Sequence, residues 1–194
     1  MEQIIFATHN KHKLQEVKKL LSDKFKILSL NDIGLYDEIP ETGFTLKENA
    51  SQKSHYLVQR FSQNCFADDT GLEVDALNGE PGVFSARYAG EKATYEQNVE
   101  KLLTELKGIK NRKARFKTVI SLIYNKKEYF FEGVVEGQIL TEKKGNKGFG
   151  YDPVFVPNGY NQTFAEINTE LKNKISHRGK AVQKLVRFLL SSTK

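Results

Sequence analysis

Residues 3–13 read Gln3-Ile4-Ile5-Phe6-Ala7-Thr8-His9-Asn10-Lys11-His12-Lys13, an apolar run that gives way to a polar loop. The apolar part has the length of a buried strand, and the loop bounds it. From Lys13 onward Leu14, Val17, Leu20 and Leu21 recur at helical spacing, and residues 25–30 alternate as a second strand would. Strand, loop, helix and strand together form the seed of an α/β sheet.

Further along, Leu46, Ala50, Leu57, Val58 and Phe61 share one face of a helix expected over residues 45–61. Lys53 falls within that stripe, so its ammonium either snorkels outward or meets anions. Residues 64–67 read as a short strand ending at Asp68-Asp69-Thr70-Gly71. A third helix begins at Thr94, where Thr94 and Gln97 form a capping box, and its stripe is Val99, Leu102, Leu103 and Leu106. Residues 114–124 and 128–140 are rich in Val, Ile, Phe and Tyr and are separated by Asn125-Lys126-Lys127, the pattern of a long antiparallel hairpin. The sheet is therefore expected to be mixed. A Gly-rich loop over residues 145–152 leads into a strand at 154–156. The last helix can take Ser176 as N-cap and run to Leu190, with Ala181, Val182, Leu185, Val186, Leu189 and Leu190 inward.

The chain has 194 residues, 39% hydrophobic and 28% charged, the balance of an ordinary globular protein able to bury a sizeable core. No linker or repeat marks a domain boundary. A single cysteine, Cys65, excludes an internal disulfide and points to a reducing compartment. Beside Phe66 it reads as a buried structural thiol, with a nucleophile as the alternative. The run Ile4-Ile5-Phe6-Ala7 is too short for a secretory signal, and no stretch approaches the roughly 20 apolar residues of a membrane helix. A cytoplasmic protein without a membrane partner is expected. The net charge of +6 suits nucleic acid or a polyanionic small molecule equally, and charge alone does not decide.

Three polar clusters fall at the ends of apolar elements. Residues 8–13 join a strand to a helix start, where backbone N–H groups and the helix dipole suit phosphate; an ordinary capped helix start is the other reading. The Walker spacing is absent from the chain. Glu41, in a Pro40-Glu41-Thr42-Gly43 turn, and the pair Asp68 and Asp69 offer hard oxygens for Mg²⁺. The alternative is an Asp pair that satisfies a turn at Thr70 and Gly71 through side-chain hydrogen bonds. The third cluster is Gly148-Phe149-Gly150-Tyr151-Asp152 with Lys172, His177 and Arg178. Its rings can stack on a base or belong to the core, and its cations can read acceptor oxygens.

In this order the clusters resemble the inosine triphosphate pyrophosphatase family, the non-standard purine nucleoside triphosphate pyrophosphatases, over essentially the full chain. The matching motifs are Thr8-x-Asn10-x-x-Lys13; Glu41-Thr42-Gly43 with Glu48-Asn49-Ala50; Ala67-Asp68-Asp69-Thr70-Gly71 through Gly82-x-x-Ser85-Ala86-Arg87-Tyr88; and Gly148-Phe149-Gly150-Tyr151-Asp152-Pro153 with Ser176-His177-Arg178-Gly179. The resemblance implies one α/β domain over residues 1–194, with a long mixed sheet, flanking helices, two lobes around a central substrate cleft, and a homodimer. It implies that Thr8, His9, Asn10, Lys11, His12 and Lys13 hold the triphosphate, with His9, Lys11 and His12 contributing backbone contacts. Glu41 and Asp69 would serve magnesium, Asp69 would accept the proton, and Lys53 and Asp68 would support it. Thr70 would contact substrate, and Phe149, Gly150, Tyr151, Asp152, Lys172, His177 and Arg178 would bind the base. His9 stands where many members have Gly, and Thr70 where many have Ser.

The activity so implied is hydrolysis of inosine, deoxyinosine and xanthosine triphosphates to the monophosphate and pyrophosphate, which cleanses the nucleotide pool. Water attacks the α-phosphorus, and donors at Lys172, His177 or Arg178 welcome a 6-oxo group while opposing adenine's amino group. Two other readings are a septum-inhibitor-type nucleotide pyrophosphatase, against which the Ser-His-Arg-Gly segment argues, and a nucleic-acid binder supported only by net charge. No nucleic-acid partner is expected.

Overall fold

The computed structural model describes residues 2–21 and 25–192. Ile4, Ile5 and Phe6 are buried in β1 (Glu2–Phe6), as a central strand covered on both faces requires. Helix α1 (Lys11–Leu21) leads from it to β2 (Phe25–Leu28), which pairs with β1 in parallel. Val17 and Leu21 of the expected stripe are buried. Leu20 lies outside the described side chains.

Helix α2 (Leu46–Phe61) starts at Thr45, whose hydroxyl accepts the Glu48 N–H while Glu48 reaches back to the Thr45 N–H. Strand β3 (Cys65–Val74) pairs in parallel with β1 and in antiparallel fashion with the short β4 (Pro81–Gly82). Helix α3 (Tyr95–Glu105) has the capping box expected from Thr94 and Gln97. Strands β5 (Lys113–Tyr124) and β6 (Lys127–Ile139) are joined by Asn125 and Lys126, both at positive φ. That is the two-residue turn a tight hairpin prefers, one residue shorter than expected. Strand β7 (Phe155–Pro157) pairs antiparallel with β6. Helices α4 (Thr169–Ile175) and α5 (His177–Ser192) complete the chain. Among the described residues the mixed sheet has seven strands in the order β2-β1-β3-β5-β6-β7, with β4 on β3.

Two expectations need correction, and one element was not expected. The strand before the acidic pair does not end there: β3 runs through Asp68-Asp69-Thr70-Gly71 to Val74, so the two carboxylates stand mid-strand and there is no turn for them to satisfy. Asp and Gly are poor strand formers, but buried Leu72 and Val74 anchor the strand beyond them. Leu190 is 39% exposed, because it lies about 100° around α5 from the fully buried Leu189. Helix α4 was not expected: its apolar residues Leu171 and Ile175 make a single repeat, too little for a periodic signal.

The chain divides into two compact units, Met1–Asp69 with Thr118–Gly133 and Arg178–Lys194, and Thr70–Lys117 with Val134–His177. In the first, Phe6 stacks on Phe66 at 4.5 Å among residues of α1 and α5, and Leu57, Cys65, Ala67 and Ile123 form a further cluster. In the second, Phe116, Phe155 and Phe164 pack with Leu72, Val99 and Leu102. Cys65 is structural: burial pushes its thiol up to about 12, so it stays protonated at neutral pH. Among the described residues no helix is long and apolar enough to cross a membrane.

Candidate active site

In the first unit, consecutive residues of β3 send Asp68 and Asp69 to opposite faces of the strand. Asp68, buried, has the Lys13 ammonium 3.1 Å from both carboxylate oxygens and accepts a 3.3 Å bond from Arg178 Nε. The Arg178 guanidinium also pairs with Glu16 on α1. Burial alone would push the Asp68 carboxyl up, but Lys13, Arg178 and Lys53 outweigh it and hold it far below the ordinary carboxylate range. At Asp69 burial prevails: Lys53 and Lys13 pull back, Glu41 adds repulsion, and the carboxyl ends above its ordinary value. The two neighbouring carboxyls are thereby shifted in opposite directions, Asp68 down by its cations and Asp69 up by burial.

Lys53 is buried, and its ammonium meets anions rather than snorkelling. It bonds the Glu41 carboxylate and, at 2.8 Å, the Asp68 carbonyl. Burial would lower its pKa, but Asp69, Glu41 and Asp68 together raise it, so it stays charged. The turn carrying Glu41 rests on the first turns of α2. Thr42 N–H donates to Gln52 at 2.9 Å and Gly43 N–H donates to Asn49 Oδ1 at 2.8 Å. Asn49 Nδ2 in turn donates to Asp69 Oδ2 at 3.0 Å.

At the start of α1, Thr8 Oγ1 accepts the Asn10 N–H at 3.1 Å. Asn10 Oδ1 accepts the N–H groups of His12 and Lys13 at 3.0 and 3.2 Å. The helix start is thus a capped one, with Lys11 and His12 exposed around it. His9 Nε2 lies 3.0 Å from the Asp37 carbonyl oxygen.

In the second unit, buried Asp152 accepts the Phe149 N–H at 2.8 Å and the Lys172 ammonium at 2.7 Å. Gly148 has a φ of +74°, and a Cβ there would meet Asp152 Oδ2 at 2.0 Å, so the loop closes on that carboxylate only with glycine. Lys172 Nζ stands 5.0 Å from the centroid of the half-buried Phe149 ring, beside which Tyr95 lies at 5.9 Å. Tyr151 is core: its ring is buried, its hydroxyl donates to the Ser85 carbonyl at 2.8 Å, and what it and Gly150 can offer a base is backbone. The His177 ring stacks on Phe116 at 4.6 Å. Thr70, half-buried, follows Asp69 on β3. Arg178, expected to read the base, has its guanidinium paired with Asp68 and Glu16 in the first unit. Among the described residues no group of three or more His, Cys, Asp or Glu is arranged to hold a metal.

A model of the Ham1 family matches residues 4–188. The chain belongs to the Ham1 family. It is 54% identical to the dITP/XTP pyrophosphatase of Flavobacterium psychrophilum, over 96% of this chain and 98% of that protein. It is 44% identical to the dITP/XTP pyrophosphatase of Bacillus subtilis, over 97% and 98%. The solved structure of a HAM1 protein from Coxiella burnetii is similar at 38% identity with a TM-score of 0.91, covering 98% of this chain and all of that one. The Staphylococcus aureus Ham1 protein gives 39% identity and a TM-score of 0.89 at the same coverage.

Glu16 was not singled out in the sequence, and Asn49 only as part of the Glu48-Asn49-Ala50 motif with no role. Glu16 holds Arg178, and Asn49 holds both Asp69 and the Glu41 turn. Their spacing carried a faint signal, since Glu16 follows Lys13 by three residues and Asn49 precedes Lys53 by four, which puts each on the helical face of a site lysine.

Proposed function

We propose that this protein hydrolyses non-standard purine nucleoside triphosphates, those of inosine, deoxyinosine and xanthosine, to the monophosphate and pyrophosphate, with magnesium, and so cleanses the nucleotide pool. The activity for which the Flavobacterium and Bacillus relatives are named supports this reading. The observation that carries it is the ionised Asp68 clasped by Lys13 and Arg178, next to Asp69 with its raised pKa.

The donor set fits magnesium. Among the described residues of this cluster four carboxylates, Glu16, Glu41, Asp68 and Asp69, meet three cations, Lys13, Lys53 and Arg178, and the negative balance suits a divalent cation. Magnesium is commonly held by one or two carboxylates plus substrate phosphates, and Glu41 and Asp69 would be the two. Bound there, it would supply charge neutralisation for the departing pyrophosphate. The chain's own groups do the rest. Lys13 and the residue 8–13 loop grip the triphosphate, and Asp69 accepts a proton from the water that attacks the α-phosphorus. Lys53 keeps Glu41 in place beside it. Phe149 stacks on the base, and the Lys172 ammonium, aimed by Asp152, donates to a 6-oxo group. The protein is read as a cytoplasmic homodimer whose partner is a purine nucleotide, not nucleic acid or a membrane.

The test is a panel of purine triphosphates, with magnesium or with chelator, assayed separately for pyrophosphate and orthophosphate. Pyrophosphate from the oxo-purine members, only with magnesium, is expected. Orthophosphate release, or equal turnover of adenosine triphosphate, would overturn the reading.

A further inference from the structure

We propose that Asn49 is a positioning residue for this reaction, its amide setting the Asp69 carboxylate against the Glu41 turn. The inference rests on the roles given above to Asp69 and Glu41 and adds what aligns them. Asn49 is 1% exposed, and both ends of its amide are committed. Oδ1 accepts the Gly43 N–H at 2.8 Å, and Nδ2 donates to Asp69 Oδ2 at 3.0 Å. A flipped amide would set donor against donor and oxygen against oxygen, so the neighbours dictate its orientation. Glu41 lies two residues before Gly43, and Asp69 lies on β3. One rigid side chain therefore fixes the spacing of carboxylates from two separate segments.

The contact is close-packed. A Cβ on Gly43 would fall 2.8 Å from Asn49 Oδ1 and 2.6 Å from Glu48 Cβ, so the turn lies directly on α2 with no room for another residue type. One helical turn further on, Lys53 ties Glu41 to the Asp68 carbonyl. The two side chains divide the work. Lys53 supplies charge, and Asn49 supplies direction, because an amide bonded at both ends fixes the rotation of the Asp69 carboxylate where a flexible ammonium cannot. Misplacing a reacting group by about 1 Å can cost on the order of a hundredfold in rate.

The decisive variant is Asn49→Asp. It keeps the size and an acceptor for the Gly43 N–H, but sets a second carboxylate against Asp69 in place of a donor. Turnover of deoxyinosine triphosphate is expected to fall about a hundredfold with KM changed less than about threefold. Pyrophosphate binding with chelator present, measured by calorimetry, is expected to match the wild type within about threefold. Asn49→Ser removes the reach to Asp69 without adding charge, is expected to show the same split, and decides the matter if Asn49→Asp does not fold. Wild-type turnover in a folded variant would reduce Asn49 to a support of the Gly43 turn. A loss of turnover that only parallels lost pyrophosphate binding would do the same. A wild-type protein that releases no pyrophosphate from any purine triphosphate would instead sink the proposed function, and this inference with it.

Discussion

Asp68 and Asp152 are both buried carboxylates with a lysine at hydrogen-bonding distance, yet their surroundings differ. Asp68 shares a network with Lys13, Arg178, Glu16 and the nearby Lys53. Asp152 accepts from Lys172, whose ammonium stands over the Phe149 and Phe164 rings, and from the Phe149 N–H. The first arrangement suits a ligand that brings several charges, since cations and carboxylates already alternate there. The second suits a flat, weakly polar ligand that needs one directed donor and an aromatic face.

The difference can be broken by substitution. The largest effect is expected at Asp68. Asp68→Asn removes the buried counter-charge that Lys13 and Arg178 share, Glu16 still pairing with Arg178, and denaturant unfolding should show a loss of about 3 kcal/mol. The pH dependence has a definite sign. The folded-state pKa of Asp68 lies below its unfolded value of about 3.9, so its stabilisation is present above that value and drains away as pH falls toward the folded one. The variant should therefore lose less stability on acidification below about pH 4 than the wild type. Equal stability of the two proteins would mean that the network contributes nothing to folding.

One residue along, Asp69→Asn should do the reverse. Burial already disfavours the Asp69 charge, so the fold should survive, with turnover down by at least about a hundredfold. Unchanged kinetics would remove Asp69 from the chemistry. The smallest effect belongs to the aromatic cluster. Lys172→Met should narrow the preference for inosine over adenosine triphosphate by roughly tenfold, the scale of one buried donor matched or left unpaired. An equal loss on both substrates would show that Lys172 holds Asp152 and the loop without reading the base.

Much of the fold was legible because its elements are periodic and locally capped. The stripes of α2 and α3, the Thr94 and Gln97 box and the apolar run of β1 each depend on residues within a few positions of one another. Legibility failed where distant partners overrule local preference. Asp68, Asp69 and Gly71 read as a strand end because such residues leave strands when nothing pairs with them; here Lys13, Arg178 and Asn49 make the strand tolerable. Lys53 and Tyr151 each had two readings, and anions settled the one as hydrophobic packing settled the other.

Hydrophobic period was enough to determine an α/β fold, and the order of motifs along the chain was enough for the resemblance to its family, because both are properties of sequence order. Which charge meets which was decided only in three dimensions. Arg178 joins Asp68 across 110 positions and Asn49 joins Asp69 across 20, and neither pairing has any local energetic trace. Electrostatic and hydrogen-bond energies depend on distance and burial, and these exist only once the strands and helices have packed.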